Sequence, residues 1–258
     1  MHGYLTREGV APLDFLWLAR EELRRYKSVR IAKTQVTHAR AKGAGFELVL
    51  SSRRTVRARK VLLATGVVDE LPPIPAINRL LGKSAFQCPY CHGWEARGAP
   101  VVVVGTGARA LEMARALTAW TSDLVVCADG LGPADKAALR RNRVRIEERP
   151  IVRLVTKGEA LREVVLQGGR RLPCRFLFFN TPSRQQSDLA RRLGCSFTAE
   201  GGVRCGKYES TDVPGVYVAG NTIKDVHLVV VAAAEGAKAA MGINKALTKE
   251  DFDRRAYC

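Results

Sequence analysis

Val101-Val102-Val103-Val104-Gly105-Thr106-Gly107-Ala108-Arg109-Ala110 is the stretch that decides the fold of this 258-residue chain. The four valines read as a buried strand, and the Gly-x-Gly-x-x-Ala beginning at Gly105 reads as a tight turn into a helix. Glycines there let the backbone approach a pyrophosphate, which the positive end of the helix dipole favours. Gly105, Gly107 and Ala110 are therefore candidate nucleotide contacts. Asp129 closes the next strand where a ribose-binding carboxylate belongs. A turn of this kind can also serve the fold alone, without a ligand.

Working outward, Cys88-Pro89-Tyr90-Cys91-His92-Gly93-Trp94-Glu95 ends a few residues before that strand. Two cysteines separated by two residues can close a small disulfide and hand its electrons on. His92 follows directly, and an imidazole titrates near neutrality, which suits it to moving thiol protons or, more simply, to capping a helix. Two rival readings of the pair are weaker. A zinc site needs a second set of ligands, and the chain has no second CxxC, so no metal is expected. Cys-x-x-Cys-His also matches c-type haem attachment, but that chemistry calls for export, and the first residues carry no basic segment followed by an apolar one.

Composition narrows the class. Forty-two Lys and Arg against twenty-five Asp and Glu give a net charge of +17, with fourteen of the basic residues and five of the acids in the first sixty positions. The arginines are scattered without a nucleic-acid-binding pattern, so no nucleic-acid partner is expected, and a basic surface also suits phosphate-bearing cofactors. Cys127, Cys174, Cys195, Cys205 and Cys258 stand singly among the seven cysteines, which is not a secreted disulfide framework. The longest apolar run, Leu228 to Ala234, is too short to span a bilayer. The expectation is a cytoplasmic protein with no membrane partner.

The length allows two domains or one large α/β unit. Residues 13 to 27 space Leu13, Leu16, Leu18 and Leu23 in helical fashion, and the text to Leu63 alternates like a meander of strands. Val61 to Gly66 reads as a buried strand ending in a glycine turn, and Pro72, Pro73 and Pro75 read as an interdomain connection. Residues 84 to 206 then read as a βαβ-based dinucleotide-binding domain, with helices at 108 to 120 and 133 to 142. A strand over Gly215 to Asn221 and an apolar helix from about Leu228 to Leu247 close the chain.

Taken together, His2-Gly3-Tyr4-Leu5, Ala64-Thr65-Gly66, the CxxC, Gly105-x-Gly107-x-x-Ala110 and Val213-Pro214-Gly215-Val216-Tyr217-Val218-Ala219-Gly220 occur in an order that resembles the thioredoxin reductase-like flavoprotein disulfide oxidoreductases. The Cys-x-x-Cys-His-Gly-aromatic run resembles the branch that includes dithiol oxidases. The resemblance implies two Rossmann-like, three-layer nucleotide-binding domains. One would be a discontinuous FAD domain over 1–83 and 207–258, lacking its first βα unit; the other would be an NAD(P) and redox-disulfide domain over 84–206. It implies FAD and NAD(P)H as cofactors, a small-molecule or protein thiol or disulfide as substrate, and a homodimer. It also implies that Cys91 lies against the flavin, that Cys88 exchanges with substrate, and that His92 stands where ordinary thioredoxin reductases carry an aspartate. Thr65, Gly66, Gly220 and Asn221 would contact the flavin, with His227 and Leu228 at the start of the helix whose amides face the ring. The resemblance leaves oxygen in place of NAD(P)H, and a non-catalytic nucleotide-binding remnant, as alternatives.

Overall fold

A computed structural model describes residues 1–255, so Cys258 lies outside the described residues. The chain divides into two compact units, one formed by residues 1–68 with 184–258 and the other by 69–183.

The second unit is built around the valine strand. Val101–Thr106 lies at the centre of a five-stranded sheet, between Phe176–Asn180 and Leu124–Asp129, with Ala85–Phe86 and Arg145–Glu147 at the edges. Every neighbouring pair is parallel. Such a sheet is stable only when both faces are covered, and the alternation of the strand shows how. Val101 and Val103 pack with Ala110, Leu111, Met113, Ala114 and Leu117 of the helix Gly107–Leu117. Val102 packs on the opposite face with Leu161, Val164, Leu166 and Leu172 of an antiparallel meander, Ile151–Lys157, Ala160–Leu166 and Arg171–Pro173. Helices, parallel sheet and meander make the three layers expected of a Rossmann-like unit.

The first unit has a smaller core. A meander of Val36–Lys42, Gly45–Leu50 and Thr55–Ala58 contributes Ala39 and Phe46, and the parallel pair Val61–Leu63 and Val216–Val218 contributes Val61, Leu63, Val216 and Val218. The helix Val229–Arg255 packs on this pair and on the turns beside it. Mixed α/β architecture with a parallel sheet is thus present in both units.

Several sequence expectations are corrected. The chain passes between units at 68/69 and 183/184, not at 83/84 and 206/207. The reason is packing: just after Pro72 and Pro73, Ile74, Ile77 and Leu80 are buried under the parallel sheet of the second unit, so the proline segment is inside that unit. Leu189, Ala190, Cys195 and Val203 likewise belong to the core of the first unit. The first helix spans Pro12–Leu23, ends before residue 27 and buries none of its residues; Leu13 is 79% and Trp17 59% exposed. Its apolar spacing therefore has no covering layer among the described residues. The meander begins only at Val36, and the last helix extends to Arg255. No helix among the described residues is long and apolar enough to cross a membrane.

Candidate functional site

Cys88 and Cys91 form a disulfide with their Cα atoms 5.2 Å apart. Local sequence explains the placement. Phe86 ends an edge strand of the parallel sheet, Cys88 has the extended backbone of a helix N-cap, and Pro89 opens the short helix Pro89–His92 with the φ it already prefers. The N–H of Cys91 donates to Cys88 Sγ at 3.0 Å. On reduction that amide would favour a thiolate at Cys88, the usual way a helix start lowers the pKa of the first cysteine in a CxxC. His92 stacks flat on Phe86, with ring centroids 4.0 Å apart and planes 13° from parallel, and Phe86 rests in turn on Phe176 and Phe178.

The remaining described thiols are all raised. Burial pushes Cys127 up to about 12 and raises Cys174 as well. Burial also raises Cys195 and, at the surface, Cys205. No cluster of His, Cys, Asp and Glu able to hold a metal occurs among the described residues.

The short helix Pro89–His92 and the turn after it are exposed on one side and anchored on the other. Tyr90 is 77% and Trp94 63% exposed, with the Arg97 guanidinium 3.6 Å above the Trp94 ring. Gly93 is buried against the Trp120 indole. Beside Pro89 and Tyr90 opens a cavity of about 470 Å³, lined also by Gln87, Asn180, and Glu112 and Arg115 from the helix Gly107–Leu117.

The glycine turn has the geometry its sequence suggests. A Cβ on Gly105 would come within 3.3 Å of Ala110 Cβ, so a small residue at each position lets strand and helix meet. Gly107 has φ +47 and a Cβ there would lie 3.3 Å from the Gly130 carbonyl. Asp129 is exposed at the end of its strand, opposite Thr106 in register. Gly105, Gly107, Ala110 and Asp129 are thus gathered at the carboxyl ends of parallel strands, where such sheets bind ligands.

In the first unit the same position is occupied by the flavin candidates. Thr65-Gly66 follows Val61–Leu63, and Gly220-Asn221 follows Val216–Val218, the two strands running parallel. Thr222, which the sequence reading missed, ties them: its Oγ1 accepts the Gly66 N–H at 2.8 Å and lies 3.4 Å from Thr65 Oγ1. Gly66 has φ +69 and nothing lies within 4 Å of where its Cβ would be, so the strand end is an open cradle bordered by hydroxyl and amide groups. These residues fit the flavin end of FAD. No Gly-x-Gly-x-x-Gly turn for its pyrophosphate occurs among the described residues of this unit. His227 is exposed and Leu228 half-buried, immediately before the helix Val229–Arg255, whose first turn carries no acidic residue.

The sequence profile described as pyridine nucleotide-disulphide oxidoreductase matches residues 18–236. Thioredoxin reductase aclD of Aspergillus oryzae is 28% identical over 275 residues, covering 99% of this chain and 85% of that protein. The crystal structure of HlmI is 32% identical with a TM-score of 0.95, covering 100% of this chain and 82% of HlmI. That of a putative thioredoxin reductase, TrxB, from Bacillus anthracis is 29% identical with a TM-score of 0.91, covering 97% and 85%.

Proposed function

The chain belongs to the pyridine nucleotide-disulphide oxidoreductase family, whose cofactors are FAD and NAD(P)H, and from that premise we propose that it passes electrons between NAD(P)H, FAD, the Cys88–Cys91 pair and a substrate, reducing a disulfide or oxidising a thiol. The observation that carries this reading is the disulfide itself, half-buried at the start of a short helix with an amide directed at Cys88 Sγ. When bound, FAD supplies two-electron chemistry.

The protein's own steps follow from thiol exchange. The Cys88 thiolate attacks one sulfur of a substrate disulfide, forming a mixed disulfide and expelling the other sulfur as thiolate. The Cys91 thiolate then attacks Cys88 Sγ, re-forming Cys88–Cys91 and releasing the second substrate thiolate. The substrate gains two electrons, the cysteine pair loses two, and the released thiolates take up protons that His92 helps to supply. Thr65, Gly66, Gly220 and Asn221, with His227 and Leu228 beside them, would hold the flavin end of FAD. Gly105, Gly107, Ala110 and Asp129 would hold the nicotinamide nucleotide. We place the protein in the cytoplasm, on its buried unpaired thiols, and as a homodimer, on its family resemblance.

Anaerobic mixing of the FAD-loaded chain with NADH and, separately, NADPH tests the proposal. One of the two is expected to bleach the oxidised flavin absorbance within the time of mixing. A flavin that neither nucleotide bleaches, yet that reoxidises in air after reduction by a dithiol, would instead make oxygen its electron partner.

A further inference from the structure

We infer that Glu235, a residue outside the strand-end motifs, is a positioning residue for flavin binding; the inference rests on the reading of Gly220 and Asn221 as flavin contacts. Glu235 lies on the helix Val229–Arg255 and is half-buried, and its Oε2 accepts the Gly220 N–H at 2.6 Å. Gly220 has φ +70, and where its Cβ would be, Ala232 Cβ from the same helix is 3.5 Å away. One turn of helix thus packs against Gly220 and grips its amide.

The grip matters because the turn is short and fixed at both ends. Gly220–Thr222 forms a single 3₁₀ turn, with the Gly220 carbonyl accepting the Ile223 N–H at 2.9 Å. At its far end, fully buried Thr222 accepts the Gly66 N–H, and its carbonyl accepts Gln185 Nε2 at 2.9 Å. Asn221 sits between the two anchors. Releasing Gly220 therefore frees the backbone on one side of Asn221 and loosens, through Thr222, the opposite strand end at Gly66. A short hydrogen bond to a carboxylate is strong enough to hold such a turn.

The Gly220 N–H requires an acceptor at position 235. Burial pushes the Glu235 carboxyl up, the Gly220 N–H that it accepts pulls it down, and neighbouring Glu209 and Asp225 push it up while Lys238 opposes them. The Lys238 ammonium is bound to Glu209, which is itself buried. An amide of the same length also presents a carbonyl oxygen to the Gly220 N–H.

The test is FAD affinity, read by quenching of flavin fluorescence on titrating the full chain, together with the visible circular dichroism of the bound flavin. Glu235→Ala is expected to weaken binding by about tenfold or more and to change the dichroism. Glu235→Gln keeps an acceptor at the same reach and is expected to stay within about threefold of the parent with the parent spectrum. Glu235→Asp keeps the charge but is one methylene short, and is expected to behave like the alanine variant. Parent-like affinity in Glu235→Ala overturns the assignment, as does a glutamine variant as weak as the aspartate one, a comparison that holds even if the alanine variant does not fold. A parent chain that binds no FAD overturns the functional reading of this strand end, and the assignment with it.

Discussion

Serine at position 88 or 91 is expected to lower turnover of a disulfide substrate by about three orders of magnitude or more, while bound flavin is retained. The size of the effect follows from the place of the pair at the site: among the described residues Cys127, Cys174 and Cys195 are buried with their thiols raised, and Cys205, though exposed, is raised as well and lies in the other unit. The two variants should fail differently. Cys88→Ser removes the sulfur that the Cys91 amide faces, and with it the thiolate that opens the substrate disulfide. Cys91→Ser leaves Cys88 able to attack but not to be resolved, so it should accumulate a mixed disulfide with substrate, visible as a mass increment on the intact chain. Turnover unchanged in either variant would remove the cysteines from the mechanism.

The second large effect is structural and sits one residue beyond the redox helix. A Cβ on Gly93 would lie 2.3 Å from Trp120 Nε1 and 2.4 Å from the Pro89 carbonyl oxygen. Gly93 has ordinary helical φ and ψ, so backbone strain is not the issue; space is. Gly93→Ala must displace either the indole or the backbone that carries Cys88 and Cys91, since its own N–H donates to Pro89 O at 2.7 Å. Overpacking of this kind costs about 2 to 3 kcal/mol. Thermal unfolding should shift down accordingly, and alkylation of the reduced cysteine pair should change in rate. A variant that melts with the parent and alkylates at the parent rate would show that the redox helix is not held by this contact.

What could be read from the chain alone was local. The four valines, Gly105, Gly107 and Ala110 are consecutive and speak for their own strand, turn and helix, and the spacing of Cys88 and Cys91 needs no distant partner. The boundaries between units were not legible, because Pro72, Pro73 and Pro75 look like a linker while Ile74, Ile77 and Leu80 among and after them are claimed by a sheet formed mainly by later residues. Thr222 and Glu235 escaped notice for a related reason. Thr222 meets Gly66 across 156 positions, and Glu235 meets Gly220 across a turn and two helical turns, pairings that no motif records. The first helix shows the converse failure: its leucines are spaced for burial, yet Leu13, Leu16 and Leu23 are exposed.

The central claim is that Cys88 and Cys91 exchange electrons with the flavin, and electron counting tests it without knowledge of the natural substrate. In an anaerobic reductive titration of the FAD-loaded chain, the parent is expected to take up two electrons for the flavin and two for the disulfide, with free thiols appearing at Cys88 and Cys91. The Cys88→Ser, Cys91→Ser double variant is expected to take up only the flavin's two. A parent that bleaches fully after two electrons, with Cys88 and Cys91 still joined, would contradict the account.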